Sequence, residues 1–308
     1  MNEHLLHAAV TALACLPLAL ALAASGLPMA SAVLLFNPPK RVKVFRDKFG
    51  QQTATCALLT GLIALLGLTG GAFALHRLFP AASSFWLGWP LPLGPLAGGA
   101  ALCAVLAAVY RATWQAMKDQ RALHAGIGSA ASLAGFGLGY LFLSFFRHFA
   151  VSPLEASADP ALFLPPTAST AWIILPGMLA MAFCLAGATG SLYLIHRRDK
   201  DDFGRDYYVY SLKMACKWAL FAALAALAAQ GGLFAALWPS VRDLPLRPVF
   251  FWGEAGGALA LLMACLLWGM VTRNQNPMRL KLHCVAGAIL AWLGLTGQMA
   301  ACARFFLG

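Results

Sequence analysis

The chain is expected to fold as an all-α polytopic membrane protein with eight transmembrane helices. Three observations predict this. Of the 308 residues, 61% are hydrophobic and 11% charged, which is more apolar surface than one soluble core can hide. Hydropathy divides the chain into eight apolar stretches, residues 5–36, 53–77, 91–113, 123–149, 170–196, 212–238, 250–271 and 283–306. Each is long enough for the ~20 residues that cross a hydrocarbon core, and each must be helical because lipid offers no partner for open backbone groups. Finally, 17 of the 22 Lys and Arg fall in alternate gaps between the stretches. Basic loops stay on the cytoplasmic side, so both ends of the chain are expected outside.

The first stretch runs to Met29-Ala30-Ser31-Ala32 and resembles a secretory signal with a small-residue cleavage site. Such a signal needs a basic leading segment. Here Glu3, His4 and His7 precede the apolar run, and Lys40, Arg41, Lys43, Arg46 and Lys48 follow it. A retained first helix with its N-terminus outside fits that charge order. The second stretch ends outside at His76-Arg77, and the third ends inside with Arg111, Lys118 and Arg121. Arg147-His148 close the fourth. After the fifth come Arg197, Arg198, Lys200, Arg205, Lys213 and Lys217, the densest basic gap. The seventh opens with Glu254 and leads to Arg273, Arg279 and Lys281, and the eighth ends at Arg304. The outer gaps 78–90, 150–169 and 239–249 are rich in Trp and Pro, as suits an interfacial collar.

The formal charge of +11 resides on the inner face, since the acidic residues divide almost evenly, six inside and five outside. Anionic membrane lipids are its expected counter-charge. No nucleic-acid partner is expected, because binders of that kind present an exposed basic stripe with groups that read bases. The eight cysteines are scattered singly, with no C-x-x-C pair. They read as small apolar core residues, so neither a metal site nor an iron–sulfur cluster is expected in this chain.

An internal repeat is also legible. Leu96-Ala97-Gly98-Gly99-Ala100 opens the third stretch as Glu254-Ala255-Gly256-Gly257-Ala258 opens the seventh, and His124 and His283 follow at nearly the same offset. Two tandem four-helix units are expected, residues 1–155 and 156–308, in the same orientation. Gly-Gly pairs at these positions allow close helix approach.

Ionisable groups inside spans are costly and mark candidate sites. The outer end gathers His76, Arg77, Arg147, His148 and Glu254 at about one depth. An adjacent arginine favours neutral imidazole, which can accept a proton. Oxidising a quinol removes two protons with two electrons, and a neutral histidine with a carboxylate is apt equipment for that. The bland alternative is that the arginines snorkel as anchors and the histidines merely adjoin them. His124, His196 and His283 border basic loops, where histidine is unremarkable. A b-type heme would need facing ligands such as His76 and His148, or His124 and His283. A stand-alone small-solute carrier usually needs an acid at mid-bilayer, and these spans have none there.

Three local patterns carry a family resemblance. Pro166-Thr167 is followed by Trp172, Pro176 and the small residues Gly187 to Gly190; Leu75-His76 precedes Pro80; and Gly297-Gln298 precedes Arg304-Phe305-Phe306. In these, and in length and helix count, the chain resembles the DmsC-type membrane anchor subunits of dimethyl sulfoxide reductase-like molybdoenzymes. The family's acid at the start of helix three is missing, with Pro95 and Leu96 near its place after Phe85-Trp86-Leu87, and Gln298 stands for its terminal Glu. The resemblance implies a non-catalytic subunit in the bacterial cytoplasmic (inner) membrane. It would bind quinol, with menaquinol as the substrate drawn from the quinone pool, and pass the electrons to a partner iron–sulfur subunit and a molybdopterin catalytic subunit. Molybdopterin and clusters would belong to those partners, with no heme in this chain. It also implies that His76 is the quinol-associated histidine, and that the complex serves anaerobic respiration.

Overall fold

The structure is a computed structural model that describes residues 3–35, 42–78, 80, 90–117, 119–151, 163–167, 169–201, 203–244 and 247–307. Its eight long helices are α1 (Glu3–Leu35), α2 (Lys43–Leu78), α3 (Pro90–Ala112), α4 (Arg121–Val151), α5 (Ala171–Arg197), α6 (Arg205–Val241), α7 (Arg247–Arg273) and α8 (Lys281–Leu307). A 3-10 turn, Pro277–Leu280, leads into α8. All eight are long and apolar enough to span a bilayer. The chain is an eight-span, all-α membrane protein. The Trp- and Pro-rich gaps 78–90 and 150–169 lie largely outside the described residues, whereas 239–249 is mostly taken up by the end of α6 and the start of α7.

Two boundaries differ from the hydropathy reading by more than three residues. Helix α2 begins at Lys43 rather than 53, and α6 at Arg205 rather than 212. The charged segments that read as loops are therefore the first turns of helices. Partners explain why they stay helical. Arg46 donates to Leu34 O and to the Tyr210 hydroxyl, both at 3.2 Å. Arg121 on α4 pairs with Asp47 on α2 at 2.5 Å, and the Lys48 ammonium sits 4.4 Å from the Phe203 ring centroid. Gly204, at φ 80°, turns the chain into α6 in the left-handed region that favours glycine.

Helices alternate in direction and close into two rings. In the first, α1 packs on α2 and α4, and α3 packs on α2 and α4. In the second, α5 packs on α6 and α8, and α7 packs on α6 and α8. The rings meet where α1 lies against α5, flanked by α8 on α1. Small residues make these approaches possible, since no hydrophobic force acts between helices in lipid. A Cβ at Gly187 would lie 2.6 Å from Ala215 O and would also meet Ala219 N, so α5 and α6 touch backbone to backbone. At Gly26 the same atom would lie 2.6 Å from Ala182 O, across the α1–α5 seam. Where Pro28 interrupts α1, the Met29 N–H turns to the Ser132 hydroxyl of α4 at 2.8 Å.

The main buried cluster draws on α1 and α5 through α8, with Met181, Leu212, Leu261 and Trp268 among its members. By contrast, Tyr110 is the one buried side chain among those described on α3. The second ring and its seam with α1 thus hold the main core, while α2 and α3 are little buried over most of their spans.

Candidate functional site

The alternation of helices brings the ends of α2, α4, α6 and α8 and the starts of α3, α5 and α7 to one side, the end that the loop charges predict to be the outer one. His76 is half-buried and Arg77 exposed at the end of α2. The residues before them, Leu68 to Ala74, are all exposed, so the approach to His76 lies open to lipid. On α4, Arg147 is half-buried and His148 is buried at 7% exposure. Glu254, on the second turn of α7, is buried at 3% exposure. All five predicted residues therefore lie at the outer end, but on helices of different neighbourhoods. The main packing partners of α2 and α4 are α1 and α3, whereas those of α7 are α6 and α8.

The bond Glu254 makes is within the second ring. Gln230 of α6 donates both amide hydrogens to it, one to the carboxylate Oε2 at 2.8 Å and one to the backbone oxygen at 2.9 Å. Close approach of α7 to α8 seals the pair, because a Cβ at Gly257 would lie 2.9 Å from Gly294 O and 3.5 Å from Gln230 Nε2. Two buried oxygens remain without a hydrogen-bond partner, Glu254 Oε1 and Gln230 Oε1. Beside this pair lies an apolar cavity of about 110 Å³, walled by α1, α4, α5, α6 and α8. Met178, Met181 and Met299 line it, and its polar lining comes from Gln230 and Gln298. Sequence reasoning missed the glutamine. The available signal was an uncharged polar residue inside an otherwise apolar span.

No family model matches this chain, and no curated protein matches it either.

The inner end holds two further polar clusters. Asp201 accepts from Gln52 Nε2 at 2.8 Å and from Arg197 Nε and Nη2 at 2.8 and 2.5 Å. Tyr207 donates to Gln52 Oε1 at 2.6 Å. This network ties α2 to α5 and α6, which makes it a clamp between the rings. The Arg197 guanidinium, helped by the Gln52 amide, holds the Asp201 carboxyl below the usual carboxylate range against the opposing effect of its partial burial. The second cluster surrounds His124, which is buried and stacks on Tyr110 with centroids 4.5 Å apart, with Trp114 edge-on at 4.5 Å. Tyr110 in turn shares a 2.7 Å hydrogen bond with Ser31. His124 is thus a core residue of the first ring rather than a border residue. In the second ring, the Cys216 and Cys284 sulfurs face each other at 3.8 Å in the same buried cluster. Among the described residues, no group of three or more His, Cys, Asp or Glu side chains is placed to hold a metal ion.

Proposed function

We propose that the chain is a quinol-interacting membrane anchor subunit, which takes two electrons from a quinol and passes them to an iron–sulfur partner. The observation that carries this reading is the buried Glu254–Gln230 pair inside the spanning helices α6 and α7, whose glutamine lines an apolar cavity. An ionisable residue held at this depth marks a functional site by default. A lipophilic carrier that releases protons needs an apolar bed with a proton acceptor near it; the cavity supplies the bed, and Glu254 lies behind its lining residue Gln230. In this reading His76, Arg77, Arg147 and His148 form the outer rim that takes protons to the surface. The quinol loses two O–H protons and two electrons and becomes quinone. The electrons leave through the partner's clusters, with a molybdopterin subunit as their acceptor.

The two rings are read here as tandem four-helix units, residues 1–155 and 156–308. A matching contact supports that: a Cβ at Gly128 would meet the Tyr110 ring at 2.7 Å, and one at Gly287 would meet the Trp268 ring at 2.7 Å. Each is an aromatic of the third helix seated on a glycine of the fourth.

Replacement in the native complex tests the function. Glu254→Gln and His76→Ala should each abolish or strongly reduce quinol-dependent reduction, while reduction by an artificial donor to the partner subunits persists. Normal quinol turnover in both variants would remove the assignment. A co-purified complex without molybdenum or tungsten and without iron would remove the partner reading as well.

A further inference from the structure

The second ring holds a pair of thiols that the quinol reading does not use. Cys216 of α6 and Cys284 of α8 face each other with their sulfurs 3.8 Å apart, and both residues are fully buried. Helices α6 and α8 are opposite members of the ring, each packed mainly on α5 and α7, so the two sulfurs meet across its centre. Neighbouring charges fix their depth. Cys284 lies one turn after Lys281 on α8, and Cys216 lies between Lys213 and Lys217 on α6. Lysine ammonium groups reach out to the headgroups, so the pair sits about one helical turn inside the edge of the hydrocarbon. The loop charges predict this end to face the cytoplasm, where thiols are kept reduced. The way in is short. The 3-10 turn Pro277–Leu280 and the first turn of α8 separate Cys284 from the loop after α7, and such ends open at lower cost than a core.

From this we infer that Cys216 and Cys284 are a modification site, a dithiol that hydrogen peroxide from the inner aqueous side converts into a disulfide joining α6 to α8. The geometry allows it. A disulfide of about 2.05 Å asks each sulfur to move about 0.9 Å, which a turn of roughly 30° about χ1 supplies. The chemistry runs in two steps. Cys284, the nearer to a helix end, attacks one peroxide oxygen and the O–O bond breaks. That oxygen stays on sulfur as a sulfenic acid, and the other leaves as water with the thiol proton. Cys216 then attacks the Cys284 sulfur, the S–S bond forms, and the sulfenic hydroxyl leaves as a second water with the Cys216 proton. The two thiols lose two electrons and the peroxide gains them. Two molecules of a small cellular thiol reverse the bond by exchange. The closed bond encloses all of α7 and ties opposite helices, so the inner end of the ring no longer opens. Neither cysteine lines the cavity, and the inference stands or falls apart from the quinol reading.

The test uses the full chain, reduced, in lipid nanodiscs. It is exposed to hydrogen peroxide at a dose that oxidises most of an added free thiol, then unfolded in N-ethylmaleimide and digested for peptide mass spectrometry. Most of the chain should carry the Cys216–Cys284 cross-linked peptide, and dithiothreitol should remove it. The oxidised wild type should also unfold at a higher dodecyl sulfate fraction than the reduced one, because the cross-link constrains the unfolded chain; Cys284→Ala should show no such shift. Dimedone, which captures sulfenic acids, should label Cys284 in Cys216→Ala and label Cys216 far less in Cys284→Ala. Both thiols of the wild type still open to N-ethylmaleimide after peroxide, or Cys284 joined to a different cysteine, would overturn the site. Equal dimedone labelling of the two variants would overturn the order of attack.

Discussion

Replacing Asp201 by alanine should loosen the clamp between the two rings. The carboxylate lies in the short loop between α5 and α6 and is 15% exposed. Its hydrogen bond from Gln52 is charge-assisted and ends on a buried amide, a class worth about 1.5–3 kcal/mol. The Arg197 fork adds less, about 0–1 kcal/mol, because the guanidinium side is 36% exposed and screened by solvent. The loss for Asp201→Ala is therefore about 1.5–4 kcal/mol. Asp201→Asn keeps an acceptor for Gln52 and should lose about half of that. Unfolding in mixed micelles of rising dodecyl sulfate fraction, followed by tryptophan fluorescence, measures both. An alanine variant within about 0.5 kcal/mol of wild type would refute the clamp, since that is the range of an inert surface change. The same network has a pH signature. Asp201 is held below the usual carboxylate range, so its contribution is complete above the unfolded-state value of about 3.9. It is lost as the pH falls below that value through the lower folded value. Acid should therefore destabilise wild type more than Asp201→Asn, and equal acid sensitivity would contradict the assignment.

Two further outcomes test the packing and the topology. Gly257→Ala should destabilise by about 1–3 kcal/mol, because the new methyl meets the α8 backbone at 2.9 Å, whereas Gly256→Ala, with nothing within 4 Å, should be neutral or slightly stabilising; equal effects at the two neighbouring glycines would show that α7 and α8 do not approach as described. A cysteine at exposed Asp243 should react with an impermeant maleimide added to intact cells, and one at exposed Asp119 only after the membrane is opened; the reverse order would invert the topology.

The candidate site shows where reading the sequence stops. His76, Arg77, Arg147, His148 and Glu254 stand out because charge in an apolar span is rare, and the structure puts all five at the same end of the helices. Their grouping by depth follows from the helix count alone. Their lateral neighbours do not. Glu254 pairs with Gln230, 24 positions earlier, and Gln230 carries no charge to draw attention. Gln52 and Asp201 lie 149 positions apart. Asp201 counted in the sequence only as one more acid in a basic gap. His124 likewise looked like a loop-border histidine, and it became core once Tyr110 and Trp114 closed over it.

By itself the sequence determined the eight spans, their helical state and the face that carries the positive charge. Each of these follows from local physics. Lipid cannot satisfy a backbone hydrogen bond, and a lysine or arginine does not cross the bilayer freely. Tertiary structure alone decided which helices are neighbours, where the rings meet and which polar atoms end up buried together. Inside the membrane every helix surface is nearly equally apolar, so periodicity does not reveal its partner. The choice is made by small-residue contacts such as Gly187 on Ala215 and Ala219, and by hydrogen bonds between residues far apart in the chain.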